Sequence, residues 1–226
     1  MKKHFNHVAI SDLPNLTRTT INGKRHYTTP SGELISITSL LSSKIPQGIL
    51  DWRESVGESV ANYIMRTAAN RGTRVHKLVE MTLSNAETFG EIAEFGVLPV
   101  GLYNLMAPAL ENIDNIRVLE QPLFSEKLRV AGTVDCIAEY NSELATLDFK
   151  TASRIRSKED ITNYFLQCTF YAQAWFEMTG EQIKKIVIIM ASEDGHLEIF
   201  EEETANYIEQ LEHTIEEFYH GPLSSL

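Results

Sequence analysis

Between residues 116 and 151 the hydrophobic pattern turns from helical to alternating, and two short polar interruptions divide the stretch into three segments, 116–126, 129–140 and 144–151. Strands joined by short turns fix their own register. With Asn141-Ser142 as a two-residue turn, Tyr140 opposes Glu143, and stepping back along the ladder brings Asp135 opposite Asp148. One face then carries Val134, Cys136 and Ala138 against Ala145, Leu147 and Phe149, an apolar set suited to a core. The other carries Asp135, Asp148 and Lys150. A slip of one residue would bury both aspartates, so the pattern supports this register. With Lys127-Leu128 as the other turn, Glu126 opposes Arg129 and Glu120 falls opposite Asp135.

Three carboxylates on adjacent strands would thus form a row, with directly opposite Cβ atoms about 5 Å apart. Anions that close repel strongly where water is scarce, and a divalent cation among them relieves the repulsion. Oxygen ligation favours a hard ion, Mg2+ or Mn2+. Lys150, two residues past Asp148, projects from the same face, where an ammonium can hold or deprotonate a water or neutralise charge on a phosphate. The competing account is a solvated sheet face. Such a face alternates acids with lysines across strands, because like charges directly opposite are destabilising; here acids face acids.

Elsewhere, residues 16–29 read as a hairpin turning at Asn22-Gly23, with a second turn at Pro30–Gly32. Residues 37–84 read as helical, capped at Thr38, interrupted by Pro46 and broken at Gly57 and Gly72. Residues 85–101 are a poorly patterned connection and 102–113 a short helix that contains Pro108. An amphipathic helix is expected over 160–179, a central buried strand over 184–191, a turn at Asp194-Gly195, a strand over 196–200 and a helix over about 203–219. The order predicts one domain of mixed α/β (α+β) class. Its parts are an N-terminal hairpin extension (1–36), a helical part (37–113), a catalytic sheet and helix (114–202) and an acidic C-terminal helix (203–226).

Composition narrows the function classes. The net charge of −11 argues at first against a nucleic-acid partner, but ten acids and no Lys or Arg fall within 193–226, leaving 20 basic and 21 acidic residues in the rest. Two cysteines, Cys136 and Cys168, cannot ligate a four-cysteine iron–sulfur cluster or zinc site. No apolar run has membrane-spanning length and the N-terminal stretch shows no apolar signal core, so the expected location is cytoplasmic, with no membrane partner.

Gly132-Thr133-Val134-Asp135 followed by Leu147-Asp148-Phe149-Lys150-Thr151 resembles the core of the PD-(D/E)XK nucleases, and more narrowly their RecB-like branch. Gly72-Thr73-Arg74-Val75-His76 is similar to that branch's helical histidine segment, Gln167-Cys168-Thr169-Phe170-Tyr171 to its Gln-x-x-x-Tyr helix, and Ser36–Leu41 and Trp52 also fit. The likeness runs in order over roughly residues 25–200. It implies a restriction-endonuclease-like core, a central mixed sheet with an antiparallel meander flanked by helices. It further implies Asp135, Asp148, the Phe149 carbonyl and His76 as metal ligands, Lys150 as the catalytic lysine, Glu120 as a further acid, and Gln167 and Tyr171 as residues that position the substrate strand. On the residues alone, Gln167 reads as a helix-surface residue, Tyr171 as a core aromatic and His76 as a structural histidine; the resemblance reverses these readings.

Arg66, Arg71, Arg74 and Lys77 near His76, and Lys150, Arg154, Arg156 and Lys158 after the catalytic strand, form two basic runs suited to a phosphate backbone. Arg74, Thr151 and Arg154 are the expected substrate contacts there. Lys24, Arg25, His26 and Tyr27 on the N-terminal hairpin form a basic–aromatic mixture suited to single-stranded DNA. The expected function is a metal-dependent DNA exonuclease acting on single-stranded DNA or DNA ends. Rivals are an endonuclease of the same fold, a DNA-binding module without turnover, and a purely structural protein.

Overall fold

The computed structural model describes residues 3–10, 13–86 and 92–221. Its centre is the expected meander: β4 (Ile113–Ser125), β5 (Val130–Tyr140) and β6 (Glu143–Ala152), paired antiparallel. Asn141 and Ser142 both take positive φ, 53° and 66°, which matches the twist of a tight hairpin. The turn between β4 and β5 is longer than expected, residues 126–129, because Ser125 Oγ caps it from within by accepting the Leu128 N–H. Its register is nevertheless the expected one, Ser125↔Val130 through Leu119↔Cys136. Pro122 is tolerated because β5 is the one strand that β4 pairs with among the described residues, the bridge on its other side falling at Ile116.

Around this centre the sheet is mixed. β7 (Lys185–Ser192) joins β6 in parallel and β8 (Leu197–Glu203) closes that side antiparallel. On the other side β1 (Thr17–Ile21) and β2 (Lys24–Thr29) form the hairpin at Asn22-Gly23, and β3 (Gly32–Ser36) follows. β3 was not expected. It pairs in parallel with β5 through only Ile35↔Val130 and Ser36↔Ala131, a long-range contact with no local signature.

Helices cover both faces. α1 (Ile37–Leu41) is capped by the Ser36 hydroxyl rather than by Thr38. α2 (Gln47–Val56) ends at Gly57, whose φ of 83° begins a new helix, α3 (Glu58–Leu83). α3 runs unbroken through Gly72, since one helical glycine costs only about 1 kcal/mol and Val75, Leu78, Val79 and Leu83 are all buried along one stripe. α4 (Val97–Leu110) is longer than expected and keeps Pro108, which is exposed in its last turn. α5 (Thr162–Thr179) and α6 (Ile208–His220) match the expected helices.

α3 and α4 pack on Cys136, Ala138, Ala145, Leu147 and Phe149, while α5, α1 and α6 pack on the other face. Val134 is a correction to the expected apolar face: it is buried with the α5 side, apart from Cys136. The break falls where β5 leaves β6 at Cys136↔Leu147 and takes β3 as its neighbour further back.

Candidate active site

The site lies where β5 and β6 part. The ladder stops one pair short of Asp135 and Asp148, and there the Asp135 carboxylate accepts the Phe149 N–H at 3.0 Å. This parting opens a cleft of about 640 Å³. His76 and Lys77 of α3, Glu120, Thr133, Asp135, Lys150, and Gln167 and Tyr171 of α5 line it, as do Arg18, Arg25 and Tyr27 of the hairpin.

His76, Glu120 and Asp135 come together from three elements. His76 Nδ1 lies 3.5 Å from Asp135 Oδ2 and 3.7 Å from Glu120 Oε1. Both separations are too long for hydrogen bonds, yet the three candidate ligand atoms all lie within 4.8 Å of one another. Glu120 takes a φ of 47° inside β4, a left-handed conformation that costs a non-glycine residue about 1–3 kcal/mol. Burial acts to lower the His76 pKa, but the Asp135 and Glu120 carboxylates outweigh it and push it up to about 9. The His76 ring also stands edge-on to Phe149, centroids 6.5 Å apart.

Asp148 sits behind this cluster, only 2% exposed. Lys150 Nζ lies 2.7 Å from each of its carboxylate oxygens, donating a hydrogen bond to Oδ1 and forming an ion pair with Oδ2. Burial raises the Asp148 carboxyl against the pull of Lys150. Burial also acts to lower the Lys150 ammonium, but Asp148 and Asp135 hold it well above the usual lysine range. Lys150 further lies 4.8 Å over the Tyr164 ring.

The donor set of an imidazole nitrogen and carboxylate oxygens fits a hard or borderline divalent ion. The spacing of His76, Glu120 and Asp135, without hydrogen bonds among them, fits it too. His76, Glu120 and Asp135 are residues that could hold an ion, with Asp148 behind them.

On α5, Gln167 Nε2 donates to the Tyr171 hydroxyl at 3.2 Å, and both residues are buried at the cleft wall. Their position depends on Gly132, where a Cβ would lie 2.9 Å from Tyr171 Cε1. The other expected contacts stand differently. Arg74 donates to the Phe95 carbonyl, Arg154 is exposed and Thr151 half-buried, and none of the three lines the cleft. Arg71 pairs with Glu193, Lys158 with Glu202 and Lys77 with Glu80. Sequence reasoning missed Arg18, although the hairpin register that places it opposite Tyr27 follows from the Asn22-Gly23 turn.

A stretch of 130 residues, 55% of the chain, is 32% identical to human mitochondrial genome maintenance exonuclease 1. A stretch of 67 residues, 30% of the chain, is 34% identical to an ATP-dependent helicase/nuclease from Clostridium botulinum strain Alaska E43. Both names agree with the sequence resemblance to the RecB-like branch of the PD-(D/E)XK nucleases. These matches take in 37% of the human relative's length and 5% of the clostridial one's. No family model matches the chain. A crystal structure of a protein from Eubacterium rectale overlies 66% of it and 64% of its own chain, with a TM-score of 0.44 and 16% identity. Among the described residues, no helix is long and apolar enough to cross a membrane.

Proposed function

We propose that the chain is a deoxyribonuclease that requires Mg2+ or Mn2+ and removes nucleotides from single-stranded DNA or DNA ends, in replication, recombination or repair. The observation that carries this reading is the convergence of His76, Glu120 and Asp135 within ligand distance of one ion, in a cleft that Lys150 also lines. The matched relatives, one named an exonuclease and the other a helicase/nuclease, support it.

When bound, a divalent ion polarises the phosphate and lowers the pKa of a water. His76, Glu120 and Asp135 would hold it, and the resemblance implies Asp148 and the Phe149 carbonyl as further ligands. Lys150, ion-paired with Asp148 and lining the cleft, is placed to hold the attacking water or to stabilise negative charge as it develops on the phosphoryl group. Gln167 and Tyr171, locked to each other, present a rigid polar wall to the sugar–phosphate strand. Free Cys136 and Cys168, both buried, suit a reducing compartment such as the cytoplasm.

The test is digestion of linear and covalently closed single-stranded DNA with Mn2+ and with EDTA. Loss of the linear substrate alone, and only with metal, is expected. Equal cutting of the closed circle would replace the exonuclease reading with an endonuclease. Absence of cutting on both would leave only DNA binding.

A further inference from the structure

We infer that the β1–β2 hairpin is a phosphate clamp, with Arg18 and Arg25 holding two successive phosphates of the DNA strand across the cleft from the metal ligands. This rests on the nuclease reading above and assigns its backbone contacts to a wall that the expected basic runs do not form.

The register places both guanidiniums on one face. Arg18 pairs directly with Tyr27, and Arg25 lies two residues from Tyr27 along β2. Residues on that diagonal of an antiparallel pair are about 7–8 Å apart, a spacing that suits neighbouring phosphates of an extended strand. Both line the cleft together with His76, Glu120 and Asp135. Both are exposed, and among the described residues neither has an ion-pair partner. That sets them apart from the expected basic cluster, where Arg71 and Lys77 are spent on Glu193 and Glu80. Unpaired arginines in the same cleft as Glu120 and Asp135 favour a ligand that carries anions and also takes a cation, which a phosphodiester strand does.

The hairpin is also held where a clamp has to be held. Tyr27 is 1% exposed, and its hydroxyl bonds Thr133 Oγ1 at 2.8 Å, two residues from Asp135. The Arg25 N–H donates to Ser39 Oγ at 2.9 Å, tying β2 to α1. The hairpin therefore cannot shift without disturbing the strand that bears Asp135. Lys24, next in sequence, is turned to the other side, with Nζ 5.7 Å over the Phe218 ring. It serves as an internal control of equal charge.

The experiment measures binding of a fluorescent single-stranded oligonucleotide in EDTA across a salt series, for the parent chain, Lys24→Ala and the double variant Arg18→Ala/Arg25→Ala, with thermal melting to verify folding. For single strands log K falls by about 0.7 per neutralised phosphate with log salt, so the double variant should lose about 1.4 from the slope. Lys24→Ala should leave the slope unchanged. In turnover, the double variant should raise KM by about tenfold or more with kcat nearly unchanged. Arg18→Lys/Arg25→Lys should restore the slope. An unchanged slope in the double variant, or an equal loss in Lys24→Ala, overturns the clamp. Because binding is read without metal, it decides the clamp even if the parent chain cuts no DNA, a result that would refute the nuclease reading separately.

Discussion

Gly132→Ala tests how closely α5 is seated on the catalytic strand. The added Cβ would lie 2.9 Å from both Tyr171 Cε1 and Tyr171 Oη and 3.0 Å from Ile37 Cγ2. Neither neighbour can yield cheaply. Tyr171 is 1% exposed with its hydroxyl held by Gln167, and Ile37 is fully buried. Forcing a methyl into a filled core costs about 1–3 kcal/mol. At about 2–4 °C per kcal/mol for a chain of this size, the melting temperature should fall by roughly 2–12 °C. Tyr171→Phe removes one of the two tyrosine contacts and leaves the Cε1 contact, so the double variant should recover part of the loss. Gly72→Ala is the opposing control. It meets only Thr151 Oγ1 at 3.7 Å, mid-helix, and should stabilise by about 0.5–1 kcal/mol. The assay is thermal unfolding of all four variants under one buffer, with turnover as a second readout. Turnover should drop in Gly132→Ala because the Gln167–Tyr171 pair is displaced. A Gly132→Ala protein that melts with the parent would refute the reasoning.

Three further outcomes follow from the site. Glu120→Gly should raise the metal-free melting temperature, because glycine relieves about 1–3 kcal/mol of left-handed strain, while shrinking the further rise that Mn2+ produces; a lower metal-free melting temperature would contradict this. Asp148→Ala should abolish turnover and destabilise the fold by about 1–3 kcal/mol, because it removes the partner of the half-buried Lys150 ammonium, and chemical denaturation measures it. In the metal-free protein His76, raised to about 9, is charged at neutral pH and adds stability that is complete below its unfolded pKa near 6.5 and is lost as pH rises through about 9. An ion needs the neutral ring, so Mn2+ binding at pH 7.5 should release protons and tighten with rising pH. Calorimetry in buffers of different ionisation enthalpy reads this, and heats independent of buffer would contradict it.

The meander was legible because short turns and alternating side chains fix a register locally, and so the pairings of Tyr140 with Glu143 and of Ser125 with Val130 needed no tertiary information. The approach of Glu120 to Asp135 followed from the same arithmetic. What was not legible depends on distant chain. The two-residue parallel contact of β3 with β5 leaves no pattern in Gly32–Ser36. That contact also marks where β5 abandons β6, which moved Val134 to the other core and replaced the last backbone pairing with the Asp135–Phe149 bond. Asp148 looked like a surface member of the carboxylate row, and only the packing of α5 reveals it as a buried partner of Lys150. The basic runs misled for a similar reason, since sequence spacing cannot show that Glu193 and Glu202 come back to neutralise Arg71 and Lys158.

The most direct measurement is the rate of nucleotide release from a linear single-stranded oligonucleotide as Mn2+ is titrated, for the parent chain and for Asp135→Asn. Saturable activation that EDTA abolishes, with the variant slower by at least about a hundredfold, is the predicted result. Release that ignores the chelator, or a variant that keeps the parent's rate, would contradict an ion held by His76, Glu120 and Asp135.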